Sequence, residues 1–88
     1  MKSLTNRRFW EGYQRLPEPV RREARKTYRL WIVNPRLPSL RFKKVGKIWS
    51  IRIGNTNYRA LADVQGDTAY WFWIGPQDDY ERVISGRS

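Results

Sequence analysis

The alternation of apolar and polar residues changes rhythm part-way along the chain. In the first third, apolar side chains recur every three or four residues. Phe9, Tyr13 and Leu16 fall on one stripe of a helix that Thr5 or Asn6 can cap. "LPEP" breaks it, and a second helix starts near Glu18 or Pro19 and runs to about Val33, where "NP" stops it. Val20, Ala24, Thr27, Tyr28 and Trp31 form its core-facing stripe. Ahead of both helices, "KSL" reads as a short first strand.

Beyond Pro38 the period becomes two. "KIWSIRIGNTNYRALADV" predicts a hairpin around Gly54 to Asn57, all residues tolerant of turn dihedrals. "QGD" makes the next turn and leads into "TAYWFWI"; "DDYERVIS" then predicts a short helix with Asp78 as cap and Glu81 three residues on. The predicted fold is α+β: two N-terminal helices packed on a twisted antiparallel sheet, with a short C-terminal helix, in one domain over residues 1–88.

The hairpin register has a consequence for charge. With the loop at Gly54–Asn57, Ile53 faces Tyr58, Arg52 faces Arg59 and Ile51 faces Ala60. Trp49, Ile51, Ile53, Tyr58, Ala60 and Ala62 then share the core side, while Ser50, Arg52, Arg59 and Leu61 share the other. Two arginines directly opposite on one face repel each other, a cost that becomes useful if a phosphate sits between the guanidiniums. The bland alternative is a register one residue different, or arginines splayed into water. In the last strand, a turn at Gly66-Asp67 sets Trp71 against Ala62 and Trp73 against Ala60 on the core side. Tyr70, Phe72 and Ile74 fall on the arginine side, Phe72 being either a floor for base stacking or a packing residue. "GPQDDY" leaves the sheet where Arg59 stands, which brings Gln77 and Tyr80 toward the arginine pair.

Charge sharpens this picture. The chain carries a net +10, with 16 Lys/Arg against 3 Asp/Glu through Arg59 and 2 against 5 thereafter. Such asymmetry points to a polyanion: nucleic acid first, an acidic protein second, a membrane surface third. Arg21, Arg22, Arg25, Lys26 and Arg29 gather on the outer side of the second helix, a face either solvated or set against such a partner. Cys and His are both absent, so no disulfide, thiolate or imidazole chemistry is available and transition-metal sites are not expected. Neither an apolar export signal nor a bilayer-spanning stretch is evident, so the expected location is the cytoplasm, without membrane, metal or cofactor.

Taken in order, "FWEGYQRLPEPVRREARKTYRLWIVNPRLPSLRFKKV", "WSIRIGNTNYRAL" and "YWFWIGPQDDYERVI" resemble the RelE/ParE superfamily of toxins from bacterial type II toxin–antitoxin systems. Each motif alone is weak; their succession covers nearly the whole chain. The resemblance implies a sheet whose open face binds RNA, and a metal-independent endoribonuclease that cuts messenger RNA on the ribosome. By position, Arg52 and Arg59 match the family's basic strand residues, Lys43 or Lys44 a basic group before that strand, and Tyr80 the C-terminal tyrosine. These would clamp the phosphate, assist with charge and move a proton, with Gln77 positioning the substrate. A cognate antitoxin with an acidic, amphipathic segment is implied as partner. The departure is Gln77, where many relatives carry a histidine; glutamine cannot exchange a proton near neutral pH. A non-enzymatic ParE-type inhibitor of DNA gyrase, or a decayed toxin that still binds its antitoxin, is therefore the rival. A general RNA-binding accessory protein would account for the charge but not for the motif order.

Overall fold

The computed structural model describes residues 1–87, with side chains through residue 84. Its elements follow in the order β1 (Lys2–Thr5), α1 (Arg7–Arg15), α2 (Glu18–Val33), β2 (Lys43–Val45), β3 (Ile48–Arg52), β4 (Tyr58–Gln65), β5 (Thr68–Pro76) and α3 (Gln77–Arg87), with a short 3₁₀ turn at Pro38–Leu40. No helix among the described residues is long and apolar enough to cross a membrane.

Both helices start where the pattern places them. Asn6 caps α1, its Oδ1 accepting from the Phe9 N–H at 2.9 Å. Pro19 occupies the first turn of α2, where a missing N–H costs nothing. Glu18 lies between Arg21 and Arg25, whose guanidiniums donate to its carboxylate at 2.7 and 3.4 Å. The Arg21 bond, then the Arg25 bond, holds the Glu18 carboxyl below its ordinary range. The Tyr13 hydroxyl accepts from Arg25 at 2.8 Å, so this cluster also ties α1 to α2. The like charges of Arg21 and Arg25 are thus bridged by a carboxylate.

The five strands form one sheet in the order β1-β5-β4-β3-β2. β2 through β5 run as an antiparallel meander, while β1 joins β5 in parallel, so the sheet is mixed rather than wholly antiparallel. The β3–β4 hairpin has the predicted register: Arg52 lies opposite Arg59 and Ile51 opposite Ala60. Gly54 takes a φ of +54°, a left-handed value that a side chain would strain, and donates its N–H to Thr27 Oγ1 at 3.1 Å. That bond fastens the hairpin loop to α2.

The main core lies between the helices and the sheet. Trp31 is fully buried there and meets Trp71 and Phe42 edge to face, with centroids 5.3 and 5.7 Å apart. Tyr28 is not part of the buried stripe expected of α2: it is 46% exposed and stacks beside Trp31 at the margin.

β5 also departs from the simple alternation. Trp71 does face Ala62, but Leu61 pairs with Trp73 and Ala60 with Ile74, which leaves Phe72 as the extra residue of a β-bulge. Beyond the bulge the faces exchange, so Ile74 enters the main core and Trp73 moves to the arginine side. The reason is crowding by α1, since a Cβ on Gly12 would stand 2.6 Å from the Ile74 carbonyl oxygen. An indole is too large for that side; isoleucine fits. α3 begins at Gln77, so Asp78 sits in its first turn rather than capping it.

Candidate nucleic-acid interface

Opposite the main core, the sheet has a smaller apolar cluster of Ile48, Leu61 and Phe72, against which Trp73 and the α3 residues Tyr80, Val83 and Ile84 pack. α3 therefore lies over the middle of this face, and the two arginines stand at the end that it borders. Phe72 is only 8% exposed within this cluster, which makes it a packing residue and not an open floor for a base.

Arg52 and Arg59 project from directly opposed positions on β3 and β4, which puts their Cβ atoms about 4.5–5.5 Å apart. Both are half-buried. Arg59 is held from two sides: its Nη1 donates to Ser50 Oγ at 3.3 Å, and its guanidinium carbon lies 5.1 Å from the centroid of the Tyr80 ring. This cation–π contact joins α3 to β4 and contributes on the order of 0.5–2 kcal/mol. The Arg59 Nε is buried without an acceptor among the described residues, an arrangement that typically costs about 1–3 kcal/mol. The opposed charges and the unsatisfied Nε thus fall on the same pair of sheet positions.

The remaining candidates divide. Lys43 is the cross-strand partner of Ser50 and shares the arginine face, whereas Lys44 pairs with Trp49 and points to the helix side. Both are exposed, and only Lys43 belongs with the arginines. Gln77 donates its backbone N–H to the Asn57 carbonyl at 2.7 Å, which fixes the start of α3 to the hairpin loop and leaves the side chain exposed at the arginine end. Arg52, Arg59 and Tyr80 are thus brought together, with Lys43 and Gln77 at the margins.

Ser50 and Trp73 belong to this region although no role was expected of either. Ser50 is fully buried, and the period-two pattern already put it on the arginine face. Trp73 reaches the face only through the bulge. Its ring lies over Gly75 further along the same strand, where a Cβ would come within 2.7 Å of it.

No protein-family model matches the sequence, and no curated protein matches it with significance. Solved structures do. The toxin–antitoxin complex RelBE of E. coli aligns with 85% of this chain and 94% of its own at a TM-score of 0.64 and 16% identity. The RelB–RelE antitoxin–toxin complex of Methanococcus jannaschii aligns with 89% of this chain and 94% of its own, at 0.68 and 20%. The chain has the RelE fold. A YoeB/ParE toxin from Agrobacterium tumefaciens aligns with 86% of this chain and 98% of its own, at 0.66 and 18%, which brings a ParE-named protein into the same likeness. At these identities the RelE fold is what is shared, and chemistry must be argued from this chain's own side chains.

Proposed function

We propose that this chain is the toxin of a toxin–antitoxin pair and cuts messenger RNA without a metal, on the ribosome in the cytoplasm. The observation that carries the reading is Arg59, anchored on Ser50 beneath the Tyr80 ring with Arg52 directly across the strand. The likeness to toxins solved with antitoxins supports the pairing. The net charge of +10 supports a polyanionic target.

In this reading a scissile phosphate sits against Arg52 and Arg59. The 2′-hydroxyl of the preceding ribose loses its proton, its oxygen bonds to phosphorus, and the P–O5′ bond breaks as the departing oxygen takes up a proton. The products are a 2′,3′-cyclic phosphate and a free 5′-hydroxyl. The arginines stabilise the charge that builds on the phosphorane-like transition state, where preorganised donors matter most. Arg59 is the better organised of the two, being held before substrate arrives. Tyr80, whose hydroxyl makes no hydrogen bond among the described residues, is the proton-transfer group. Lys43 adds positive charge and Gln77 orients the substrate.

An antitoxin is the expected protein partner, with an acidic, amphipathic segment whose binding weakens as salt rises. The second reading, a ParE-type inhibitor of DNA gyrase, is favoured by one observation: the chain has no histidine, and glutamine stands at position 77. Primer extension on messenger RNA from cells expressing the chain separates the two. New 5′ ends should appear and should fall by about 10²–10³-fold with Arg59→Ala, the cost of losing one preorganised charge stabiliser. Intact transcripts beside an accumulating cleaved-DNA–gyrase complex would overturn the nuclease reading.

A further inference from the structure

A cleft of about 520 Å³ separates α1 from the β5–α3 junction, and no role has yet been given to it. Its size suits a ligand of roughly nucleotide dimensions. Arg8 and Arg15 line one wall, seven residues apart and so on one side of α1; Trp73 and Gly75 line the other. Glu11 and Asp79 are also in the lining, but Asp79 is engaged by Arg82. Neither the Arg8 nor the Arg15 side chain has a hydrogen bond or ion pair among the described residues. Two unpaired guanidiniums facing a half-buried indole combine charge for a phosphate with a flat surface for a base, the two components of single-strand binding.

The position of the cleft relative to the arginine pair gives it a ligand. Gly75 is the direct cross-strand partner of Arg59, so the two sites are one strand apart. We infer that the cleft is a second subsite for single-stranded RNA: the strand whose phosphate sits at Arg52 and Arg59 continues past the end of β5, places a flanking nucleotide against Trp73 and sets its phosphates beside Arg8 and Arg15. This deepens the RNA reading of the arginine face and rests on it.

The test uses the full chain and a fluorescein-labelled hexanucleotide of 2′-O-methyl ribonucleotides, which lacks the attacking hydroxyl and stays intact. Anisotropy titrations over a range of salt give affinity and salt slope for the wild type, for Arg8→Gln with Arg15→Gln, for Arg59→Ala, and for Arg22→Gln with Arg29→Gln, which removes equal charge from α2. The cleft pair should weaken binding by on the order of tenfold and make the log–log salt slope shallower by about 1.4, the share of two phosphates on a single strand. The α2 pair should change affinity by no more than about twofold, a general loss of screened charge. Arg8, Arg15, Arg22 and Arg29 are at the surface and Arg59 is half-buried, and an unchanged thermal midpoint checks folding of each variant. A loss in the cleft pair no larger than in the α2 pair overturns the subsite. If Arg59→Ala then still abolishes binding, the arginine face stands without it. Sensitivity to the cleft pair but not to Arg59→Ala supports the cleft and removes the arginine face instead. Displacement of the oligonucleotide by poly-glutamate as readily as by unlabelled RNA assigns the cleft to acidic protein and overturns the proposal.

Discussion

The two faces of the sheet use similar residues to different ends. On the helix side, Trp31, Trp71 and Phe42 interlock edge to face within a cluster that takes in side chains from both helices and from three strands. On the other side the buried apolar cluster among the described residues is Ile48, Leu61 and Phe72, its cover is the short helix α3, and a row with Ser50, Arg52, Arg59 and Lys43 runs past its end. The first face spends its area on stability. The second keeps enough apolar contact to seat α3 and Tyr80, and tolerates two directly opposed charges. A chain of 88 residues has little stability in reserve, so a like-charge pair retained there marks the face that has another use.

Truncation tests the contrast most strongly. Trp31→Ala should lower global stability by about 3–5 kcal/mol and shift the whole urea transition. Leu61→Ala should cost about 2–4 kcal/mol, with α3 amides losing hydrogen-exchange protection before the rest of the chain. If both variants unfold in one step with α3 protected to the same degree as α2, the two faces are a single unit and the contrast fails. A subtler mark is expected at the arginine pair. Removing the repulsion by Arg52→Gln should stabilise the fold by about 0.2–1 kcal/mol while weakening RNA binding, so stability and function should move in opposite directions. A variant that loses both would make Arg52 structural.

The smallest effect belongs to the helix pair on the stabilising side. Glu18 has its carboxyl lowered by Arg21 and Arg25, so its contribution is fully present above its ordinary value of 4.5 and disappears as the pH falls through the lower folded value. Glu18→Gln should therefore slightly flatten the loss of stability on acidification below pH 4.5 and leave neutral-pH cleavage unchanged. The group is at the surface and the change should be slight. Identical acid profiles for the two proteins would mean that the tie between α1 and α2 adds nothing.

Much of the fold was legible because it is written locally. Asn6, Pro19 and the Gly54–Asn57 loop act within a few residues of themselves, and the hairpin loop alone sets Arg52 against Arg59. The candidate site was legible to the same depth: "GPQDDY" had to leave the sheet beside Arg59, and Tyr80 lies against it. Apart from the start of α3, where Asp78 lies in the first turn, the departures from the pattern arise where one element meets a distant one. Tyr28 follows the helical period but stands at a margin where no neighbour covers it. Trp73 and Ile74 were exchanged because nothing in the period-two pattern announces a bulge.

The sequence by itself determined the helices, the hairpin register, the opposed arginines and the excess of positive charge, since each depends on spacing or composition along a short segment. Only the tertiary structure decided that β1 joins β5 in parallel, that crowding by α1 turns Trp73 to the arginine side, that α3 buries Phe72, and that Lys43 rather than Lys44 shares the site. Those outcomes depend on the room left when remote segments pack together, and periodicity within one segment carries no record of the volume available in another.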